Sequence, residues 1–332
     1  MHGAVNLIVV KAKTYWPGVA VVAHAPVPGR ANAAIDSKTS IEENLEMKLD
    51  DYNKEQQFRA TVISSERMTP ESADAEVREL VLEVDGADFD YAIGQSIGVI
   101  TPGPHELGHD YHFRLYSVAD TPSVSAAGKR HITIAVRRVS YIDDYSGERF
   151  NGISSNYLCD LSVGDSVQLT GPYGYAFEVP EDRDANLILI GAGTGIAPFR
   201  AFVKHIYQDV GEWSGKVRLF YGAQTGLELF YMNEHRDDFA LYYDEDTFEA
   251  FSALSPRPNW ADPIAWDFCL EARSEEILEL LDNPKTYVYV AGKEGVRDEL
   301  DNVFARMTGS EERWHRRRAE LVAGGRWTEL LY

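Results

Sequence analysis

The chain is poor in cysteine and in basic residues, and each shortage excludes a class of protein. Its 332 residues include two cysteines, Cys159 and Cys269, too few for a disulfide framework or an iron–sulfur cluster. Lysine and arginine number 32 against 53 acidic residues, and the net charge of −21 argues against general nucleic-acid binding. The low cysteine content suits a reducing compartment, and we expect a cytoplasmic protein.

Long apolar runs are also missing. The apolar patches at 4–10 and 18–25 are interrupted by Lys11, Lys13 and a Trp-Pro-Gly turn. They stop well short of the roughly 20 apolar residues of a membrane helix. No basic stretch precedes the first patch, so no secretory signal is expected. A content of 44% hydrophobic and 26% charged residues is typical of a globular protein, and the length suits two domains.

The pattern along the chain divides it into three segments. Residues 1–57 form an N-terminal extension of unknown role, whose polar part at 33–56 is expected to wrap the body or to be partly disordered. In 58–179, short β-rich runs alternate with Gly, Pro, Asp and Ser turns, which predicts an antiparallel barrel or sandwich. In 180–332, strands alternate with helices, which predicts a doubly wound parallel sheet.

Within the third segment the pattern predicts specific elements. The strands are NLILIGA, KVRLFYGA, TFEAFSAL and TYVYVAG. The helices are PFRAFVKHIYQ, a stretch around LELFYMNEHRDDF, EEILELL, VRDELDNVFARM and EERWHRRRAE.

A glycine loop follows the first of these strands, in the stretch LILIGAGTGIAPFRAF at 187–202. Gly191, Gly193 and Gly195 permit a tight turn and leave backbone donors open to a pyrophosphate at the start of a helix near Ala197-Pro198. The spacing G-x-G-x-G differs from the dinucleotide fingerprint G-x-G-x-x-G. A turn required only for packing is the alternative.

The loop motif does not stand alone. Together with FRLYSVAD (113–120), NGISSNYLCDL (151–161) and VYVAGKEGV (288–296), it resembles the plant-type ferredoxin–NADP reductase family. GQSIGVI (94–100), LTGPYG (169–174) and the terminal Tyr332 extend the resemblance, which runs in family order from residue 58 to the end. The resemblance implies an antiparallel FAD-binding β-barrel at 58–179. A doubly wound parallel-sheet NAD(P)-binding domain at 180–332 would follow, ending in a tail that covers the flavin.

The resemblance assigns roles to the RLYS strand. It places Arg114 on the flavin pyrophosphate, Tyr116 against the isoalloxazine and Ser117 near the reactive N5, with Leu115 between them. A planar guanidinium suits a phosphate, and an aromatic ring suits the flavin plane. An ordinary strand with alternating faces is the alternative.

A second implied flavin contact is the helix start at Gly152, Ile153, Ser154 and Ser155, where Ser155 would cap the helix and donate to the phosphates. A plain helix cap is the alternative. Tyr141 would stack on the flavin adenine, although an ordinary half-buried strand tyrosine fits equally.

On the nucleotide side the resemblance implies contacts from Gly193, Thr194, Gly195, Pro198, Ser255, Arg257, Gly292 and Tyr332. The family's 2′-phosphate pocket has a Ser-Arg pair followed by Lys and Tyr. Here the arginine, Arg257, is shifted by one, and no Lys or Tyr lies between Ser255 and Arg273. The acids Asp262, Asp267 and Glu271 are present instead. We expect NADPH, with Arg257 as phosphate partner, and keep NADH as the alternative.

The chain departs from the family at two further places. Ala291 stands at the family's cysteine, so hydride transfer is expected to be looser or slower. Leu330 stands where the family has an acid two places before the terminal tyrosine, and Glu329 is one place off. Ser117, Tyr332 and Glu329 are the candidate catalytic residues, but alternation along an extended segment would turn Glu329 to the opposite face.

Two charged clusters are weaker signals. His105, His109 and His112, with Glu106 and Asp110, offer metal ligands, but no rigid helix or cysteine pair supports them, and no metal site is predicted. Arg316, Arg317 and Arg318 form a local positive spot near the tail, where an electron carrier would dock. Their interaction with a helix dipole is the alternative.

These features predict an FAD-dependent oxidoreductase that transfers electrons between NAD(P)H and a one-electron carrier. That carrier would be a ferredoxin, a flavodoxin or an oxygenase component. The alternative is a flavin-binding regulatory or structural subunit with a degraded hydride-transfer site, suggested by Ala291 and the displaced acid. The intact RLYS and GISS motifs favour the enzyme.

Overall fold

The structure is a computed structural model that describes residue 49 and residues 52–85, 89–103, 110–143, 145–174, 177–260 and 262–332. The predictions for the N-terminal extension therefore lie mostly outside the described residues. Its last part packs on the first sheet. The Tyr52 ring meets Tyr173 edge-on at 5.0 Å between centroids, and the Asn53 carbonyl accepts hydrogen bonds from Thr170 and Tyr173.

The first domain is an antiparallel sheet with the strand order β4-β3-β9-β1-β2-β6-β5. A bridge between Val118 and Ile134 joins the end of β4 to β6 and closes the sheet into a barrel. The strands are β1 Gln57–Arg67, β2 Val77–Val84, β3 Ser96–Pro102, β4 Tyr111–Ser117, β5 Ser123–Val124, β6 Arg130–Arg137 and β9 Ser166–Tyr173. The hairpin β7 Ser140–Ile142 and β8 Arg149–Asn151 leads into helix α1, Ile153–Asp160.

Alternation along the strands fills the barrel. In β2, Leu80, Leu82 and Val84 are fully buried, while the charged Glu83 between them is not. They pack with residues of β3 and β6, and α1 covers this core with Leu158 and Cys159. The alternation of apolar and polar residues predicted from the sequence therefore places the apolar side chains in the barrel interior.

The second domain is a parallel sheet with the strand order β12-β11-β10-β13-β14. Its strands are β10 Asn186–Ala192, β11 Val217–Ala223, β12 Phe248–Leu254, β13 Thr286–Gly292 and β14 Trp327–Leu331. Every residue of β10 and β11 is buried, as expected where helices cover both faces of a sheet. The predicted barrel and parallel sheet are confirmed, and the predicted division at 179/180 falls between β9 and β10.

Helices lie on the two faces of this sheet. Helix α2, Ile196–Lys204, continues as a π turn at His205–Val210 and packs in a core that includes barrel residues such as Met68 and Ala119. The other helices share a core on the opposite face: α3 Trp266–Leu270, α4 Ser274–Asp282, α5 Gly295–Thr308 and α6 Glu311–Ala323. No helix in the described ranges is long and apolar enough to cross a membrane.

The predicted helix around LELFYMNEHRDDF is wrong. The segment has short 3₁₀ turns at Gly226–Glu228 and Phe239–Tyr242 and no α-helix between them. Tyr231 has a φ of +67°, and the Asn233 side-chain oxygen accepts the backbone N–H groups of His235 and Arg236, both at 2.9 Å. The Asn233 amide also donates to the Met68 carbonyl of the barrel. Contacts with the other domain therefore override the local helical pattern.

This segment and α2 join the two domains through buried polar contacts. The Tyr231 hydroxyl donates to Glu79 of β2 at 2.7 Å, and Arg236 contacts the other oxygen of Glu79 at 2.9 Å. The Arg200 guanidinium lies over the Tyr231 ring at 4.7 Å and donates to the Ala119 carbonyl at 2.9 Å. These contacts fix the barrel relative to the parallel sheet.

Candidate flavin and nucleotide site

Arg114 lies on the edge strand β4, and its guanidinium donates to the Phe113 carbonyl at 2.7 Å. Partial burial lowers the pKa of Arg114, and no carboxylate in the described part of the chain forms an ion pair with it. A half-buried charge without a counter-ion is costly, so an anionic ligand fits this position. The planar guanidinium matches a phosphate group.

The rest of the RLYS strand faces two cores. Tyr116 packs against the barrel interior, and burial raises its pKa. Leu115 packs against the core between the domains. Ser117 is the last residue of β4 and pairs with Ser96 in the β3–β4 register. The strand therefore presents its end to the second domain.

Helix α1 begins at Ile153, with Gly152 as its N-cap, and no described side chain caps it. The predicted cap by Ser155 is wrong, because that hydroxyl accepts the Val139 N–H at 3.2 Å and donates to the Gly152 carbonyl. The first intrahelical bond runs from the Asn156 N–H to the Gly152 carbonyl. The preceding N–H groups thus have no helical acceptor and favour an anion.

Ser154 ties this helix start to the barrel. Its buried hydroxyl lies 2.8 Å from Nδ1 of His112 and 3.1 Å from the Thr101 hydroxyl. Since His112 and Arg114 are two residues apart on β4, the pair brings the α1 N-terminus to the same side of the strand as the guanidinium.

No cluster of metal ligands occurs among the described residues, and His105 and His109 lie outside them. Tyr141, the implied adenine contact, stacks on Phe150 across the β7–β8 hairpin with centroids 5.5 Å apart. Phe150 is partly exposed, at 41%. A half-buried tyrosine stacked on an exposed phenylalanine suits stacking of a planar base.

The glycine loop forms a 3₁₀ turn at Gly193–Gly195 before α2. A Cβ on Gly195 would lie 2.2 Å from the Ala291 carbonyl oxygen, so packing alone requires this glycine. Gly193 has a φ of +55°, and a Cβ there would meet only open space. The turn thus needs Gly193 for its conformation, while the space beside it stays accessible to a ligand. Pro198 is buried in the first turn of α2.

The terminal Tyr332 connects β14, β13 and the glycine loop. Its backbone N–H donates to the Gly292 carbonyl at 3.0 Å, and its hydroxyl hydrogen-bonds the Thr194 hydroxyl. Burial raises the pKa of Tyr332, while Arg137 of β6 lies close enough to oppose this shift electrostatically. The tail therefore lies on the glycine loop, facing the barrel.

Glu329 does not lie in this site, and its prediction as a catalytic residue is wrong. It accepts from Trp327 at 2.6 Å and pairs with Arg297 at 2.7 Å and Arg318 at 2.6 Å. Burial would raise its pKa, but the Trp327 hydrogen bond and the two arginines lower it overall. Because side chains alternate along β14, Glu329 shares a face with Trp327, opposite Leu330.

The arginines of α6 are already paired, so the positive spot predicted there is largely neutralised. The pairs are Arg316 with Glu312, Arg317 with Asp282, and Arg318 with Asp301 and Glu329. The helix also lies on the sheet face away from the barrel.

At the end of β12, Asp262 engages both residues of the implied 2′-phosphate pocket. The Ser255 hydroxyl donates to the Asp262 carbonyl at 2.9 Å. Nε and Nη2 of Arg257 contact the two oxygens of the Asp262 carboxylate at 2.8 and 3.3 Å. The Trp260 ring lies 5.8 Å from the Arg257 guanidinium.

Sequence reasoning missed Arg137 and Arg200. Arg137 lies 3.7 Å from Glu228 and near Tyr332, between the two domains. Arg200 sits in the quoted motif PFRAF but was assigned only to a helix. The position of Arg200 in the helix directly after the glycine loop could have indicated that it lies near the site. Its partners Glu79 and Ala119 are distant in the sequence, so the pattern did not point to them.

Comparison with known proteins decides the family. Residues 61–177 match the oxidoreductase FAD-binding domain, and residues 189–300 match the oxidoreductase NAD-binding domain. The ferredoxin–NADP reductase of Picosynechococcus sp. is 31% identical over 292 residues, covering 85% of this chain and 71% of that protein. The chain belongs to the ferredoxin–NADP reductase family.

Other members of the ferredoxin–NADP reductase family are similarly related. The Spirulina sp. ferredoxin–NADP reductase is 30% identical over 304 residues, covering 89% of this chain and all of that protein. A chloroplastic leaf isozyme from Oryza sativa subsp. indica is 29% identical, covering 90% and 85%. The solved ferredoxin–NADP⁺ reductase of Plasmodium falciparum, 20% identical, shares the fold with a TM-score of 0.61 over 85% of this chain and 98% of that one.

Proposed function

We propose that the chain is an FAD-dependent reductase that transfers electrons between NAD(P)H and ferredoxin. The carrying observation is the half-buried Arg114, which has no ion-pair partner among the described residues, together with the start of α1, which no described side chain caps. The relatives named ferredoxin–NADP reductases support the same activity.

The barrel residues would hold FAD. Arg114 and the first N–H groups of α1 would bind its pyrophosphate, and the pair Tyr141 and Phe150 would stack its adenine. Tyr116 would contact the isoalloxazine, with Ser117 donating toward N5. Bound FAD supplies the chemistry that converts a two-electron hydride transfer into one-electron steps.

The parallel-sheet residues would position the nicotinamide nucleotide. The loop at Gly193 would accept its pyrophosphate, and Thr194 would orient the nicotinamide end. Because Tyr332 is hydrogen-bonded to Thr194 and Gly292, its ring has to move before the nicotinamide takes that place. Until the nicotinamide binds, the Tyr332 ring would exclude water from that place.

NADPH is the proposed nucleotide, with Arg257 as the 2′-phosphate partner and NADH as the alternative. Ferredoxin is the proposed acceptor, and flavodoxin or an oxygenase component would serve the same one-electron step. Docking on Arg316–Arg318 is not included, since their pairing and their position on the outer face remove its support. Cytoplasmic location is also proposed, because Cys159 and Cys269 are both free thiols.

A regulatory or structural flavoprotein is the less favoured function. Its support is Ala291 and the displaced acid Glu329, which is held in ion pairs outside the site. Against it, Arg114 and the glycine loop with Tyr332 keep the features that suit a flavin phosphate and a nucleotide. An anaerobic titration with NADPH and NADH, followed by addition of ferredoxin, tests the proposal. We expect bound flavin to be bleached by the nucleotide and reoxidised by ferredoxin. Absence of flavin, or flavin that stays oxidised, would contradict it.

A further inference from the structure

The order of the strands sets the direction of a bound dinucleotide, given the proposed function. The glycine loop follows the central strand β10, while Gly292 and Tyr332 lie at the ends of β13 and β14 on one side. A nucleotide with its pyrophosphate on the loop and its nicotinamide at Tyr332 therefore extends its adenosine half toward β11 and β12 on the other side. The end of β12 leads into Ser255, Arg257 and Asp262.

Asp262 occupies the donors that an adenosine 2′-phosphate would need. Its carboxylate accepts hydrogen bonds from both Nε and Nη2 of Arg257, and its backbone carbonyl accepts one from the Ser255 hydroxyl. The Asp262 side chain is 21% exposed against 66% for Arg257, so the carboxylate lies on the inner side of the pair. The guanidinium donors of Arg257 that would bind a phosphate are thus already bound to a carboxylate.

This arrangement has opposite consequences for the two nucleotides. A 2′-phosphate has to displace the Asp262 carboxylate from Arg257 and then remain close to its negative charge. A ribose 2′-hydroxyl meets no such repulsion, because it donates a hydrogen bond to a carboxylate, as acidic residues do in NAD-binding sheets.

We propose that Asp262 is a specificity-determining residue that takes the place of the 2′-phosphate on Arg257 and thereby lowers the preference for NADPH over NADH. Arg257 supports phosphate binding only to the extent that the phosphate displaces this carboxylate. The inference rests on the proposed function for the placement of the adenosine.

Equilibrium binding of adenosine fragments tests this without any redox step. Calorimetry measures the dissociation constants of 2′,5′-ADP and 5′-AMP for the flavin-loaded wild type and for Asp262→Asn. We expect Asp262→Asn to tighten 2′,5′-ADP by about tenfold or more, since one repelling charge is removed, and to leave 5′-AMP unchanged or weaker. An unchanged ratio of the two constants would overturn the proposal.

Two further variants separate a specific role from a general charge effect. Asp267→Asn removes the same charge on α3, and Asp267 forms no ion pair with any described residue. It should leave the ratio unchanged, and a shift equal to that of Asp262→Asn would overturn the proposal. Arg257→Ala should weaken 2′,5′-ADP in the wild type, because the phosphate then meets Asp262 without a cation, and should reduce the gain in Asp262→Asn. A gain of the same size with and without Arg257 also overturns the proposal.

Kinetics distinguish failure of this inference from failure of the proposed function. In Asp262→Asn we expect the KM for NADPH to fall about tenfold with kcat nearly unchanged, while the KM for NADH rises. If neither nucleotide reduces the flavin of the wild type, the proposed function fails, yet the fragment constants still decide the role of Asp262.

Discussion

Arg200 and Ala119 are joined across the domain interface by a hydrogen bond of 2.9 Å from the guanidinium to the backbone carbonyl. Ala119 lies two residues beyond Ser117, the end of the strand proposed to hold the flavin. Arg200 lies in α2, which follows the glycine loop directly. This bond therefore links the two halves of the proposed hydride-transfer site, and Asp120 and Asp238 hold the same guanidinium.

Replacing Arg200 should impair hydride transfer without releasing the flavin. Arg200→Lys keeps the charge near Asp120 and Asp238 but loses the planar fork that also reaches Ala119. A small misplacement of the reacting groups is costly, so we expect flavin reduction in stopped-flow experiments to slow by about tenfold or more. Arg183→Lys, in an exposed pair with Glu212, is the matched control. Equal rates in all three proteins would show that Arg200 has no positioning role.

Arg114→Ala should weaken FAD binding. The change removes a charged donor to phosphate worth about 1.5–3 kcal/mol, which corresponds to roughly 10- to 150-fold in the dissociation constant. Flavin occupancy after dialysis measures the effect. Arg59→Ala, an exposed arginine that bonds Ser166 on the barrel, serves as control. Full occupancy in Arg114→Ala would disprove the phosphate assignment.

Deletion of Tyr332 should tighten NAD(P)⁺ binding and shift the flavin absorption bands. The ring lies at Thr194 and Gly292, so the nicotinamide no longer has to displace it. Turnover should slow, because release of the nucleotide becomes limiting. Tyr332→Phe removes only the hydroxyl contact with Thr194 and should give a smaller change. An unaltered spectrum with unaltered affinity for the deletion would mean that the tail does not cover the flavin.

Glu329→Gln should reduce stability but leave the rate of flavin reduction unchanged, since Glu329 lies outside the proposed site. We expect a loss of about 1.5–3 kcal/mol in the free energy of unfolding at neutral pH, because charged hydrogen bonds to Arg318 and Arg297 are weakened. Denaturant unfolding of both proteins measures it. A tenfold slower flavin reduction in Glu329→Gln would restore Glu329 to the catalytic candidates.

The contribution of Glu329 to the free energy of unfolding should depend on pH. The pKa of Glu329 in the folded protein lies below its usual value of 4.5. Its stabilising effect is therefore complete above that value and is lost as the pH falls through the lower, folded-state pKa. The difference in unfolding free energy between wild type and Glu329→Gln should be constant from pH 7 to about 5 and shrink at more acidic pH. A difference that grows on acidification would contradict the assigned ion pairs.

The sequence alone determined the architecture and the main motifs. Alternation in runs such as VRELVLEV predicted the barrel strands, and the fully apolar NLILIGA predicted a buried parallel strand. The RLYS strand, the helix after Gly152 and the turn at Gly193 were also placed correctly. These features depend on neighbouring residues, because hydrophobic period and backbone conformation are local properties.

Only the tertiary structure decided which charged and polar groups are free to act. Glu329 is paired with Arg297 and Arg318, and the other two α6 arginines are paired with Glu312 and Asp282. Asp262 is paired with Arg257, and the Tyr231 hydroxyl donates to Glu79 across the domains. A contact of Asn233 with the barrel also explains why the helix predicted around this residue does not form. The fold brings the members of these pairs together, either from distant parts of the chain or by turning them to the same face. Because burying a charged or polar group without a partner costs free energy, such groups are paired in the folded protein. No local pattern in the sequence records that choice.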